Sequence, residues 1–161
     1  MLRKPVLVTL IAVAAVAVAV VVTAATAGSS PRTQTFRLIE KSQDFHFTDT
    51  PPLSSSPDQP PSAGDSFVFV SKLETQSGQR AGTLRAQCTV VEGGENGTLT
   101  CYGSFGLAAG QLMGMATVRG DQNVTHIAIV GGTGAYVGAR GTLTSVSKND
   151  TVSIDTVTLL H

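Results

Sequence analysis

A glycine-rich segment near the C-terminus constrains the fold of this chain more than any other feature. Five of the eleven residues from Gly131 to Gly141 are glycines, and they follow directly after the apolar run His126–Val130. Such a segment can be a nucleotide-binding turn after a parallel strand, where glycines let the backbone approach a pyrophosphate. It can also be a corner that joins two antiparallel strands. The two interpretations predict different folds.

The residues after the first glycines decide against a nucleotide site. A dinucleotide fingerprint opens a helix, but Val137–Thr144 contains two glycines and three β-branched residues, which disfavour helix. Asp155 lies near the spacing of a ribose-binding acid, but it belongs to the alternating strand pattern Val152–Leu159, so we interpret the spacing as coincidence. We therefore predict a structural corner built on five glycines: Gly131, Gly132, Gly134, Gly138 and Gly141.

The N-terminus has the layout of a secretory signal peptide. Arg3 and Lys4 precede an apolar stretch from Pro5 to Val22, and the small residues Ala25–Ala27 follow it. This layout predicts a signal peptide over residues 1–27 and a secreted or extracytoplasmic protein. A flexible segment is expected over residues 28–34, before a single domain over residues 35–161. Membrane attachment is expected only if the leader stays uncleaved, because the apolar stretch is close to the shortest span, about 17 residues.

Composition narrows the range of partners. The chain has 11 basic and 11 acidic residues, and it shows no basic stripe or basic-aromatic patch, so nucleic acid is not expected as a partner. The three histidines and two cysteines have no paired spacing typical of a metal site. No Gly-x-Ser-x-Gly nucleophile motif occurs. We expect neither a metal nor a cofactor.

The two cysteines flank a predicted hairpin turn. If Val91 pairs with Thr98 across that turn, then Cys88 lies directly opposite Cys101. Opposed positions on antiparallel strands bring Cβ atoms close enough for a disulfide, and export favours oxidation. We predict a Cys88–Cys101 disulfide, with two reduced core thiols as the alternative.

The remainder of the mature chain reads as an all-β domain. Short β-rich runs alternate with turn residues, which is typical of a sandwich or barrel, and most joints are short enough for antiparallel hairpins. The predicted strands are Thr35–Lys41, Asp44–Thr48, Ser66–Glu74, Gly82–Val91, Thr98–Phe105, Gln111–Arg119, Val124–Val130, Ala139–Ser147 and Thr151–Leu159.

One connection differs from the rest. Thr50–Gly64 is rich in proline and serine, which predicts an extended surface loop. It would be either a lid over one barrel mouth or a disordered connector.

Candidate functional residues are few. Asp44 and His46 share one face of a strand with Thr48, and they would form an acid/base pair if that face were luminal; a solvated outer face is the preferred interpretation. No catalytic residue is assigned. The residues expected to line a cavity or the core are Phe67, Phe69, Ala86, Tyr102, Phe105, Met113 and Met115.

Four segments, in this order, resemble the allene oxide cyclase and dirigent barrel superfamily: Gly64–Leu73, Ala86–Val90, Tyr102–Met115 and Gly131–Gly141. The resemblance covers roughly residues 36–160. It implies an eight-stranded antiparallel, lipocalin-like barrel with an apolar cavity, often assembled as a trimer. The chemistry that it implies is cofactor-free control of a reactive molecule, as in a cyclase, an isomerase or dirigent-type stereocontrol.

The functional residues of that superfamily do not carry over. Cys88 stands where plant cyclases have a cavity cysteine, but here it has a predicted disulfide partner. Ser71 replaces an asparagine of the plant cyclases, and Val70 with Ser71 stand where dirigent proteins commonly have acidic residues.

Three functions therefore stay open. The first expectation is an exported barrel that binds a small hydrophobic molecule in its lumen without catalysis. The second is a cofactor-independent cyclase or isomerase that uses the same lumen. The third is a structural or surface-interaction barrel filled by its own side chains.

Overall fold

The protein is a closed barrel of eight antiparallel strands in a computed structural model that describes residues 33–56 and 58–160. Each strand pairs with its neighbours in sequence, and the first pairs with the last to close the barrel. The predicted all-β, lipocalin-like architecture is confirmed. The strands are β1 Thr33–Thr48, β2 Ser66–Glu74, β3 Arg80–Glu92, β4 Thr98–Leu107, β5 Gly110–Arg119, β6 Val124–Gly132, β7 Arg140–Asn149 and β8 Val152–Leu160, with a short 3-10 helix at Gly134–Tyr136.

The N-terminal predictions fall outside the part of the chain that the structure describes. The signal peptide over residues 1–27 and residues 28–32 of the flexible segment are not among the described residues. Within the described ranges, no helix has the length and apolar character that a bilayer crossing requires.

The first strand carries a bulge that reverses its faces. Two predicted strands, Thr35–Lys41 and Asp44–Thr48, are parts of β1, and the register with β2 shifts between Ser42 and Asp44. One extra residue at a bulge moves every later side chain to the opposite face. Beyond it Phe45 pairs with the inward-facing Phe69. Asp44 and His46 are exposed to solvent, as expected.

The two ends of the barrel differ. At one end, called the closed end here, lie the β2–β3, β4–β5 and β6–β7 connections. The other four connections surround the opposite end, called the mouth. Large apolar side chains that point inward make one buried cluster toward the closed end. Its members are Leu38, Leu73, Leu84, Phe105, Leu112, Ile129, Ala139, Leu143, Val157 and Leu159.

The glycine segment forms the β6–β7 corner and covers the closed end. The Thr133 N–H donates to the Gln111 carbonyl at 2.8 Å, and the Ala135 N–H donates to the Ala109 carbonyl at 2.8 Å. Gly134 has φ +61°, and a Cβ there would lie 2.5 Å from the Ala109 carbonyl oxygen. The segment is followed by strand β7 and not by a helix, so its geometry is that of an antiparallel corner.

The Pro/Ser-rich loop is held against the barrel by a buried carboxylate. Asp65 is fully buried, and it accepts hydrogen bonds from the Thr50 N–H at 2.8 Å and the Ser62 N–H at 2.7 Å. The Gly94 N–H also donates to the Pro61 carbonyl at 3.0 Å, which ties the loop to the β3–β4 turn. These hydrogen bonds attach the described part of this loop to the barrel beside the mouth.

The predicted disulfide is present. Cys88 pairs with Cys101 across β3 and β4, and their sulfur atoms are bonded. The expected pairing of Val91 with Thr98 is wrong, because the register shifts after Val90 and Glu92 pairs with Thr98. The bulge lies on the turn side of the cysteines, so it leaves their alignment intact.

The glycine corner predicts a position-dependent loss of stability. Gly134→Ala should lower the free energy of unfolding by at least about 2 kcal/mol, because the new methyl group meets backbone and the left-handed conformation disfavours a side chain. Gly131→Ala is the matched control, since a Cβ there meets nothing within 4 Å. Urea unfolding measures both, and equal losses would contradict this account of the corner.

Removing the disulfide predicts a second, independent loss. The double variant Cys88→Ser with Cys101→Ser should lose about 3 kcal/mol of stability, the value expected for closing a loop of this length. The measurement is urea unfolding without reductant, with the wild type unfolded in dithiothreitol for comparison. Two free thiols found by intact mass in wild-type protein isolated without reductant would refute the bond.

Candidate functional site

The upper half of the lumen, toward the mouth, is an open cavity of about 270 Å³. Leu84 and Phe105 belong both to the buried cluster and to the cavity lining, so they form its floor. Small inward residues keep the space above them open. A Cβ at Gly103 would lie 2.9 Å from the Ala86 methyl carbon, and one at Gly114 would lie 2.8 Å from a methyl carbon of Ile127.

One wall of this lumenal cavity is apolar. It comes from strands β3 to β6, and the Cys88–Cys101 disulfide forms part of it. Apolar walls of this kind favour flat hydrophobic ligands and exclude water. The wall consists of Ala86, Cys88, Cys101, Gly103, Gly114, Ala116, Val118 and Ile127.

The opposite wall is polar and comes mainly from β1, β7 and β8. Glu40 lines the cavity together with the hydroxyl side chains of Ser145 and Ser153. In the strand register Glu40 faces Ser153, while Asp155 faces both Leu38 and Ser145. Since diagonal neighbours on one sheet face lie within reach of long side chains, Glu40 lies above Asp155. Asp155 itself is fully buried and does not line the cavity.

Burial changes the acidity of this carboxyl pair. The pKa of Glu40 is raised to about 7, mainly by desolvation and also by the nearby charge of Asp155, while the Ser71 hydroxyl lowers it. Desolvation also raises the pKa of Asp155, against smaller lowering effects of the Ser145 and Glu40 side chains. When two carboxyl groups lie close together, the negative charge of one disfavours ionisation of the other. The pair therefore holds a proton near neutral pH.

The polar groups around Glu40 are incompletely paired. Both oxygens of Asp155 and the hydroxyl oxygen of Ser71 are buried, and none has a hydrogen bond of regular geometry to another described residue. A buried unpaired polar atom costs free energy. Protonation of the pair reduces this cost, which is a second physical reason for the raised pKa values.

A second cavity, the mouth cavity, adjoins the first. It has a volume of about 490 Å³ and a mainly polar lining. Both cavities are lined by Glu40, Phe69, Ser147 and Ser153, so the lumen opens into the mouth there. The other lining residues of the mouth cavity are Ser42, Phe45, Ser71, Gly120, Gln122, Asn123, Lys148, Asn149, Asp150, Thr151 and Val152.

The structure places some of the predicted cavity residues in the lumen and others outside it. Phe69, Ala86 and Phe105 line the lumen. Tyr102 borders it, but its ring points outward and its hydroxyl donates to the Gln87 side-chain oxygen at 2.7 Å. Phe67 lies near the mouth, with its ring centre 5.0 Å from that of Phe47 and 5.4 Å from that of Phe45.

The two methionines lie on the outer face of the barrel, where Met113 lines a separate cavity of about 340 Å³. Met113 and Met115 are 38% and 50% exposed, and they point away from the lumen. The residues of β5 that point inward are Leu112, Gly114 and Ala116, which alternate with the methionines along the strand. Both faces of this strand are apolar, so the sequence pattern does not distinguish them.

Sequence analysis missed the acids of the polar wall. Glu40 has the same strand parity as Leu38, and Asp155 has that of Val157 and Leu159. The sequence does contain a signal for both acids: each carboxyl side chain lies on the otherwise apolar face of a strand. Within the described residues, no group of histidine, cysteine and acidic side chains is arranged to hold a metal ion.

Comparisons with known proteins bear on the fold. No family model matches the sequence, and the search of curated proteins finds no relative. A pyocyanin demethylase matches with a TM-score of 0.67 and 21% identity, over 78% of this chain and 99% of its own. An exo-specific intermolecular Diels-Alderase matches with a TM-score of 0.64 and 12% identity, over 82% and 99%. A pterocarpan synthase dirigent protein matches with a TM-score of 0.65 and 16% identity, over 81% and 89%.

The chain has the dirigent-like barrel fold. The resemblance to the allene oxide cyclase and dirigent superfamily is thus confirmed at the level of fold. All three of these barrels are named for the conversion of small molecules. Among the described residues that line the lumen of this barrel, Glu40 is the one carboxyl group.

The carboxyl pair predicts a pH-dependent stability. Because the pKa of Glu40 is raised from 4.5 to about 7, the folded state holds a proton that the unfolded state releases. The free energy of unfolding should therefore fall as the pH rises from about 4.5 to about 7, by about 2–3 kcal/mol relative to Glu40→Gln. Urea unfolding at several pH values measures this difference. Glu95→Gln, at an exposed turn, is the control, and parallel curves for wild type and Glu40→Gln would rule out the raised pKa.

Proposed function

We propose that this barrel binds a small hydrophobic molecule in its lumen and catalyses a cofactor-free proton transfer on it, an isomerisation or a cyclisation. The observation that carries the proposal is Glu40, an ionisable group at the wall of an open cavity whose pKa is raised to about 7. Strongly shifted acids in clefts are typical of catalytic sites. A group that can both donate and accept a proton near neutral pH, placed beside an open cavity, favours catalysis over binding alone.

The cavity sets the size of the ligand. Its 270 Å³ is somewhat less than twice the volume, about 150 Å³, of an engineered apolar cavity that binds benzene. A planar molecule of about two fused rings fits this space. Its apolar face would pack on the wall of Ala86, the disulfide and Ile127, and its polar atom would face Glu40.

Glu40 is the catalytic acid and base in this proposal. Its protonated carboxyl group donates a proton to a basic atom of the ligand, and the resulting carboxylate removes a proton from a neighbouring C–H group. The ligand's double bond moves, or a ring closes, and Glu40 regains its proton, so the balance of protons is zero. An acid with a pKa near the working pH serves in both directions.

Asp155 is a positioning residue. It does not line the cavity, and it acts through Glu40, whose pKa its charge raises. The apolar wall limits water around the reacting atoms, which preserves this electrostatic coupling.

Two further features belong to the proposal. The disulfide supports an exported protein, since such bonds persist in oxidising compartments. The exposed apolar side chains of Val68, Met113 and Met115 on the outer surface support a homo-oligomer.

The proton-transfer proposal is tested with 5-nitrobenzisoxazole, a bicyclic probe from which a base removes the C3 proton while the N–O bond breaks to release a coloured phenolate. Wild type should accelerate this reaction with a rate that rises through about pH 7, because Glu40 must be ionised to act as the base. Glu40→Gln should lower kcat/KM by about 100-fold or more. Asp155→Asn should move the inflection to lower pH, because the charge that raises the pKa of Glu40 is gone.

Glu95→Gln is the control, and it should leave the profile unchanged. If Glu40→Gln retains the wild-type rate, catalysis by Glu40 is wrong. A probe that binds without conversion in all variants would favour the non-catalytic binding protein. A probe that neither binds nor reacts would favour the structural barrel.

A further inference from the structure

We infer that the ligand of this barrel carries a polyhydroxylated group, such as a sugar, and that this group occupies the mouth cavity. The inference rests on the proposed function in one respect: the lumen holds the apolar part of the ligand. The mouth cavity would then be a second subsite that binds polar groups, whereas the lumen binds apolar ones.

The two cavities form one continuous space. They share Glu40, Phe69, Ser147 and Ser153 in their linings, and the mouth cavity is the larger, at about 490 Å³ against 270 Å³. A ligand confined to the lumen would leave the larger space to water. A ligand that fills both cavities must be apolar at one end and polar at the other, because the lumen has a mainly apolar lining and the mouth cavity a mainly polar one.

The polar lining of the mouth suits hydroxyl groups. Amides and hydroxyls both donate and accept hydrogen bonds, as sugar hydroxyls do. The side-chain amides of Gln122 and Asn123 are exposed. Both residues form hydrogen bonds through their backbones, but within the described ranges neither side-chain amide has a hydrogen-bond partner. They are therefore available to a ligand without breaking an existing contact.

The charges at the mouth disfavour an anionic group. Lys148 is the one basic residue among the described residues that line this cavity, and the acidic Asp150 and Glu40 line it as well. Phosphate and carboxylate groups are usually bound by arginine clusters or several convergent cations. The balance here fits a neutral polar group.

An aromatic ring stands at the edge of the same cavity. Phe45 lines the mouth and is 60% exposed, although large aromatic side chains are normally buried. Its ring is fixed beside Phe67, with ring centres 5.4 Å apart. The C–H faces of a sugar ring pack on such exposed aromatic surfaces, so Phe45 supplies the apolar contact that a polyol group still requires.

The test compares matched ligands by isothermal titration. The probes are 4-methylumbelliferone and 1-naphthol, each with its β-D-glucoside. In wild type, the Kd of each glucoside should be about fivefold or more below that of its aglycone, the effect of about one additional net hydrogen bond. The double variant Gln122→Ala with Asn123→Ala should bring the two values within about twofold and leave aglycone binding unchanged.

Gln111→Ala is the matched control, because it removes an exposed amide at the closed end, and it should keep the glucoside preference. Glucosides that bind no more tightly than aglycones in wild type would overturn the inference, as would a preference that survives in the double variant. The two proposals fail separately: aglycone binding and the Glu40→Gln rate report on the lumen, whereas only the gain from the glucose unit reports on the mouth.

Discussion

Closure of the sheet is the constraint on which the rest of this structure depends. When eight strands close into a barrel, every second side chain is forced into a lumen just wide enough to be filled by side chains. The size of the inward residues then decides what that space becomes. Leucine and phenylalanine fill the closed end, while Gly103 and Gly114 leave the upper half empty. One barrel thus contains a core and a cavity, stacked along the same axis.

Strand alternation also fixes the chemistry of the cavity. Glu40 and Asp155 lie on adjacent strands, β1 and β8, that meet only because the barrel closes. Inside, both acids lose most of their contact with water, and each disfavours the charge of the other. The pairing of β1 with β8 that closes the barrel therefore places a carboxyl group that holds a proton near neutral pH at the wall of an apolar cavity. No additional loop or helix is required to build this site.

Much of the fold was predictable because it depends on local pattern. The strand runs, the glycine corner and the alignment of Cys88 with Cys101 follow from alternation and turn residues. The bulges in β1 and β3 were not predictable, since a single extra residue leaves no clear trace in composition. The carboxyl pair was missed for a different reason: the contact between Glu40 and Asp155 joins the two ends of the domain. The sequence does not show which face of β5 carries Met113 and Met115, because both faces of this strand are apolar.

The position of the disulfide makes the wall of the cavity depend on an oxidation step. Cys88 and Cys101 both line the lumen, so the surface that a ligand meets includes a bond that is made only after synthesis. In the reduced protein, that surface would instead consist of two separate thiol side chains. The finished cavity therefore exists only in the oxidised form of the protein.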